Sequence, residues 1–305
     1  MKLLNDEFNL FRGLFPLKVF IGGPPGSGKT HFTKLLAESY GIPHLTIGEM
    51  VDEAKTIKSE FGDELRAKID ELMQEEVEKL EKNRKKKDPE VDKSTIKVRL
   101  PDEMLHKLVK ERIGGPACMN KGFILDGYPR NSADAKAIFL EPIPGYEAPE
   151  EGGDQEESKG ADESKDSFPG FTISSKILPQ YTVIFEADNE LLKQKMKDMP
   201  PDQIEGTNKS EANLVRRLGA YRELNPNLEA KTHILNFFKD LIGNENCMLL
   251  DNPEFTLDQE KTLKLMRAKL EQNGKPCCLN MISEADNRFL ANIAKQAKKE
   301  AKKAA

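Results

Sequence analysis

The eight residues Gly23-Pro24-Pro25-Gly26-Ser27-Gly28-Lys29-Thr30 constrain this chain more than any other segment. They fit G-x-x-x-x-G-K-[ST] and lie between an apolar run, Leu17 to Ile21, and an amphipathic pattern that begins at Thr30. A strand, a glycine-rich turn and a helix N-terminus in that order make a cradle for polyphosphate. Glycines let backbone N–H groups approach phosphate oxygens, a lysine reaches the β- and γ-phosphates, and a hydroxyl can hold Mg²⁺. Lys29 and Thr30 are the candidates for the last two roles, with Gly23, Gly26, Ser27 and Gly28 forming the cradle. The competing reading is an ordinary Gly/Pro turn.

The chain has 305 residues and 37% hydrophobic content, enough for one large α/β domain or two small ones. Its 47 basic and 52 acidic side chains leave a formal charge of −5, so no overall basic field argues for nucleic acid or a membrane. Lys2, Asp6, Glu7 and Arg12 interrupt the apolar residues of the opening segment, which is unlike a secretory leader, and no later run is apolar enough to span a bilayer. A cytoplasmic, reducing location is the expectation. Cys118, Cys247, Cys277 and Cys278 show no C-x-x-C spacing and are expected to be free thiols. The histidines His31, His44, His106 and His233 are scattered and are read as structural or exposed.

Periodicity along the chain alternates between strand and helix. The first helix should end near Gly41-Ile42-Pro43, with a short apolar segment, His44 to Ile47, after it. Residues 59–87 predict a long solvated helix ending in the basic cluster Asn83-Arg84-Lys85-Lys86-Lys87. A helix over 102–113 leads to the strand Gly122 to Asp126. Residues 141–170 hold ten acids against two lysines, with abundant Gly, Pro and Ser, and read as an acidic, mobile surface insertion. Core signal returns at Tyr181 to Phe185, then helices to about 199, over 208–224 and near 228–241, and a strand at Cys247 to Leu250. This alternation predicts a P-loop NTPase-type, doubly wound parallel sheet. The domain reading is an N-terminal segment 1–16, a core at 17–275 with insertions at 59–100 and 141–170, and a helical Lys/Ala-rich tail at 276–305.

A phosphate loop alone admits many NTPases and kinases; the deciding segment is Gly122-Phe123-Ile124-Leu125-Asp126-Gly127-Tyr128-Pro129-Arg130. Here the chain resembles the adenylate kinase family, and the resemblance runs from about Val19 to Leu250. It implies Asp126 beside Mg²⁺ and the phosphates, Gly127 in the nucleotide site, and Arg130 gripping the AMP phosphate. Phosphoryl transfer itself asks for cations that clamp two phosphate groups in line, and arginine offers a planar bidentate fork. The segment Thr46-Ile47-Gly48-Glu49-Met50-Val51 resembles the opening of the family's AMP-binding helix pair. Gly48 there is either a close-packing position against the monophosphate nucleotide or a turn before a helix. Asn213 to Tyr221 resembles the helix after the family's lid, which makes Arg217 the candidate that reaches the transferring phosphate.

The chain also departs from the family pattern. Asp52 stands where a second AMP-phosphate arginine is usual, and Asp134 where an adenine-recognising glutamine is usual. Lys195 and Met199 stand where the family carries two lid arginines. Lysine keeps the charge without the fork, and methionine keeps neither.

Within the family the resemblance is nearest to the ciliary adenylate kinase 7 type. It rests on Phe168-Pro169-Gly170, Met199-Pro200, Gly206-Thr207, Arg222-Glu223-Leu224-Asn225 and the acidic insertion. It implies a nucleoside monophosphate kinase using ATP and Mg²⁺, with AMP or another nucleoside monophosphate as acceptor, in the cytoplasm or the axoneme of motile cilia. Reduced activity is implied by the lid departures. Two alternatives stay open: a nucleotide-binding structural subunit contacting axonemal proteins, and a kinase for a different small phosphate acceptor.

Overall fold

The computed structural model describes residues 16–83, 100–146, 168–197, 211–251 and 259–272. The chain enters the core through β1 (Leu17–Gly22), turns through the phosphate loop into α1 (Lys29–Tyr40), and returns through β2 (His44–Leu45). Helix α1 stops where the sequence predicts. Gly41 adopts a left-handed conformation, φ 63°, from which its N–H reaches the carbonyls of Ala37 and Glu38. Next come α2 (Ile47–Thr56) and α3 (Glu60–Asn83), then α4 (Asp102–Gly114), a short α5 (Pro116–Lys121) and β3 (Gly122–Asp126). Thr46 caps α2 by accepting from the N–H of Glu49, and donates its hydroxyl to the Glu49 carboxylate at 2.9 Å.

The second half runs through α6 (Ser132–Phe139), β4 (Leu140–Pro142), β5 (Phe171–Ile173), β6 (Tyr181–Glu186), α7 (Asn189–Lys197) and α8 (Glu211–Leu224). It ends with α9 (Ile234–Ile242), β7 (Cys247–Asp251) and α10 (Gln259–Leu270). Five strands form one parallel sheet in the order β2-β3-β1-β6-β7. The fold is therefore the α/β, P-loop NTPase-like, doubly wound sheet that the periodicity predicts.

Strand side chains alternate between the two faces of this sheet, and each face builds its own core. Val19, Ile21, Ile124, Val183 and Phe185 pack with Phe32, Leu36 and Tyr40 of α1 and with Met266 and Leu270 of α10. Phe20, Phe123, Leu125 and Ile184 pack on the opposite side with α2, α4, α6 and α9. There the rings of Phe20 and Phe238 lie 5.0 Å apart and those of Phe139 and Phe238 5.8 Å. Because helices cover both faces, β1, β3 and β6 are buried along their whole length, which is why they read as largely apolar runs, broken only by Lys18, Thr182 and the acids at the ends of β3 and β6.

Some boundaries differ from the sequence reading. The helix expected from 228 begins at Ile234, because asparagine side chains build a turn first. Asn227 accepts from the N–H of Ala230 at 2.6 Å, Asn236 donates to the carbonyl of Leu228 at 2.7 Å, and His233 then caps α9. Helix α5 lies where only a Gly/Pro connection was read, with Pro116 in its first turn, where a missing N–H costs nothing. The acidic insertion is not structureless at its ends. Leu140, Glu141 and Pro142 pair antiparallel with Ile173, Thr172 and Phe171, and Phe168 packs against Phe237 at 5.3 Å. Residues 1–15, Arg84 to Lys87, 147–167, Met199-Pro200, Gly206-Thr207, Cys277, Cys278 and the tail 276–305 lie outside the described residues.

Candidate functional site

Strand β1 ends at Gly22, and the phosphate loop then turns back over the carboxyl ends of β1 and β3. This edge is where doubly wound sheets bind ligands. Two glycines at this edge, Gly23 in the loop and Gly127 just after β3, are needed for separate reasons. At Gly23, φ is 138° and a Cβ would lie 2.6 Å from the carbonyl oxygen of Phe185 on the adjacent strand. At Gly127, φ is 69° and a Cβ would lie 3.0 Å from Cε of Lys29. The first glycine lets the loop cross β6; the second leaves a channel for the lysine stem.

Over the loop opens a cleft of about 520 Å³. Gly23, Lys29, Thr30, Asp126, Gly127, Arg130 and Arg217 all line it, although they come from the phosphate loop, α1, β3, the β3–α6 loop and α8. Gly26, Ser27 and Gly28 complete the loop itself, with Gly28 in a left-handed conformation at the N-cap of α1. Ser27 is fully buried and its Oγ has no hydrogen-bond partner. The floor and far wall are apolar or aromatic: Phe20, Ile47, Tyr128, Tyr221 and Ile234.

Charge in the cleft is predominantly positive. Burial lowers the Lys29 ammonium pKa to about 8; the Asp126 carboxylate opposes this shift, and the Arg217 guanidinium adds to it. Lys29 Nζ donates to the carbonyl of Pro24 at 3.0 Å. Burial also lowers the pKa of Arg217, with further contributions from Arg130 and then Arg216. Cations that depress one another in this way mark a place built for an anion.

Asp126 behaves oppositely. Burial alone would raise its pKa, but hydrogen bonds from His44 and Thr30 and the charge of Lys29 outweigh it and hold the carboxyl below its ordinary value. Its Oδ2 meets His44 Nε2 at 3.2 Å, whereas Oδ1 is buried with no partner. An ionised carboxylate with an orphaned oxygen, beside the Thr30 hydroxyl, fits Mg²⁺, which takes one or two protein oxygens and fills its remaining positions with phosphate and water.

The other singled-out residues take different places. Gly48 is exposed as the second residue of α2; a Cβ there would meet nothing within 4 Å, so close packing does not demand glycine in this structure. Asp52 is exposed and pairs with Lys55 at 2.7 Å. Asp134 is turned inward, accepting from the N–H of Arg130 at 3.2 Å and contacting His106 at 3.2 Å. Lys195 of α7 reaches the phosphate loop, its Nζ 3.4 Å from where a Cβ on Gly28 would lie, and burial lowers its pKa.

Sequence reasoning passed over His44 as one of four scattered histidines. It bridges Thr33 Oγ1 at 3.1 Å, Asp126 at 3.2 Å and the Glu49 carboxylate at 3.5 Å. Only the parallel β2–β3 register, His44 opposite Ile124, brings it beside an acid 82 positions away. The signal available in the sequence was its place at the start of a short strand next to the β3 end. Among the described residues no helix is long and apolar enough to cross a membrane.

A family profile described as an AAA domain matches residues 22–143. Among curated proteins the chain is similar to adenylate kinase 7 of Macaca fascicularis, 27% identical over 250 residues that cover 77% of this chain and 41% of that protein. It is also similar to adenylate kinase 7 of Mus musculus, 29% identical over 252 residues, 77% of this chain and 36% of that one. A bacterial adenylate kinase, from Thermosipho melanesiensis, is 39% identical over 120 residues, 39% of this chain and 44% of the relative. The chain thus spans less than half the length of each of these relatives.

Proposed function

From its similarity to adenylate kinases, we propose that this chain is a phosphotransferase that moves the terminal phosphoryl group of Mg·ATP to AMP, giving two ADP, reversibly. The observation that carries this reading is the convergence of Lys29, Arg130 and Arg217 with one ionised carboxylate, Asp126, at the mouth of the phosphate loop. Loop amides and Lys29 hold the β- and γ-phosphates of the donor. Arg130 holds the acceptor monophosphate, and Arg217 spans the group in transit. An oxygen of the acceptor phosphate attacks the γ-phosphorus in line, the bond from that phosphorus to the bridging oxygen breaks, and ADP leaves. No side-chain nucleophile takes part, so the protein acts by alignment and charge neutralisation.

Thr30 and Asp126 would hold Mg²⁺, which when bound neutralises charge on the β- and γ-phosphates. Lys195 adds a point charge over the loop without an arginine's fork, which supports a reduced rate. The same feature favours a second reading, a nucleotide-binding structural subunit that turns over slowly or not at all. The sequence segments shared with the adenylate kinase 7 type support a place in the motile-cilium axoneme, with axonemal proteins as partners.

The deciding experiment compares ADP formation from Mg·ATP and AMP by wild type and by Lys29→Ala. Turnover that falls at least about a hundredfold with the substitution supports the kinase. Nucleotide binding without Lys29-dependent turnover replaces it with the structural reading.

A further inference from the structure

Arg130 is held by its main chain on both sides. Its N–H donates to Asp134 Oδ2 at 3.2 Å, and its carbonyl accepts from Asn225 Nδ2 at 2.9 Å. Asn225 is fully buried and its hydrogen-bonding capacity is engaged at both ends of the amide. The second Nδ2 hydrogen points to the carbonyl of Tyr221 at 3.4 Å, and Oδ1 accepts the N–H of Ile234 at 3.2 Å. The residue sits directly after α8, the helix that carries Arg217 into the cleft. Arg217, Tyr221 and Asn225 follow one another at intervals of four, so they share a helix face. Through one side chain the β3–α6 loop, α8 and the start of α9 are tied together.

This tie has a job that packing alone would not need. Arg130 and Arg217 bear like charges, and the pKa of Arg217, lowered chiefly by burial, is lowered further by Arg130. Unanchored, two guanidiniums that repel each other separate when no phosphate lies between them, and a misplacement of about 1 Å at a reacting centre can cost about a hundredfold in rate.

We propose that Asn225 is a positioning residue for phosphoryl transfer: it fixes the main chain of Arg130 against the helix bearing Arg217, so that the two guanidiniums meet the acceptor phosphate and the group in transit in a set register. This rests on the phosphotransfer reading. Asn225 touches no substrate and acts through Arg130.

Steady-state kinetics test it. Asn225→Ala should raise KM for AMP about tenfold and lower kcat by a similar factor, while KM for Mg·ATP stays within about twofold. In an Arg130→Ala background the same substitution should move KM for AMP less than about twofold, because the group it positions is gone. Asn225→Leu keeps the side-chain volume in this buried position but has no amide hydrogen to donate to Arg130. It should match the Ala variant in KM, and it carries the test if Asn225→Ala does not fold. A lower melting temperature with unchanged KM in either variant, or equal effects with and without Arg130, would make Asn225 a cap of α9 only and overturn the proposal. Wild type without turnover overturns the phosphotransfer reading and the clamp with it; turnover with uncoupled residues overturns the clamp alone.

Discussion

Replacing Lys29 by methionine should stabilise the protein in the absence of nucleotide. The Lys29 pKa falls from its ordinary 10.5 to about 8, chiefly by burial, and this fall makes the ionised side chain cost about 3 kcal/mol in the folded state. Methionine removes that cost and keeps the unbranched stem that passes Gly127. It also forfeits the bond from Nζ to the carbonyl of Pro24, about 1 kcal/mol, and the attraction to Asp126 that already moderates the shift. The net gain at pH 7 is about 2 kcal/mol.

The sign of the pH dependence follows from the lowered pKa. Below pH 8 the lysine is charged both folded and unfolded, so its penalty is fully present. Between about 8 and 10.5 the folded state releases the proton first and the penalty fades. Urea titrations of nucleotide-free wild type and Lys29→Met from pH 6.5 to pH 10 should therefore converge at the alkaline end. Adding Mg·ATP should reverse the order, because the donor phosphates supply the counter-charge that wild-type Lys29 lacks. A variant less stable than wild type at pH 7, or a gap that does not change with pH, would refute the idea that the site holds uncompensated positive charge.

Gly23→Ala should destabilise by about 2–3 kcal/mol and abolish nucleotide binding, since its Cβ would meet a strand carbonyl that cannot move aside; a urea midpoint within experimental error of wild type would contradict this. His44→Leu should cost about 1–2 kcal/mol at pH 7 by stripping Asp126 of its hydrogen bond. The stability that Asp126 derives from its depressed pKa is present above its ordinary 3.8 and lost as pH falls through the folded value. Thermal melts should accordingly show the deficit of the His44 variant narrowing in acid, and a constant deficit down to pH 3 would remove His44 from the Asp126 environment.

Much of the site was readable along the chain because its parts are local. The phosphate loop is eight consecutive residues, and the segment from Gly122 to Arg130 joins the acid and the arginine within one turn of chain. The flanking strands announced themselves because a sheet covered on both faces favours apolar residues at nearly every position. What escaped the reading depended on polar side chains whose partners lie far off in sequence. Nothing near His44 names Asp126 as its partner, and nothing near Asn225 names the carbonyl of Arg130, 95 positions earlier. The late start of α9 was hidden for a related reason: Asn227 and Asn236 satisfy backbone groups that a helix over 228–233 would otherwise have used.

By itself, then, the sequence determined the kind of sheet, the phosphate cradle and the identity of the cations. Tertiary structure alone decided that Lys29, Arg130 and Arg217 share one cleft, that Asp126 stays ionised within it, and that Asp134 faces inward to hold Arg130. The physical reason is that backbone propensity and apolar periodicity act over a few residues, whereas charge, burial and hydrogen-bond satisfaction are settled by whatever the folded chain brings within a few ångströms.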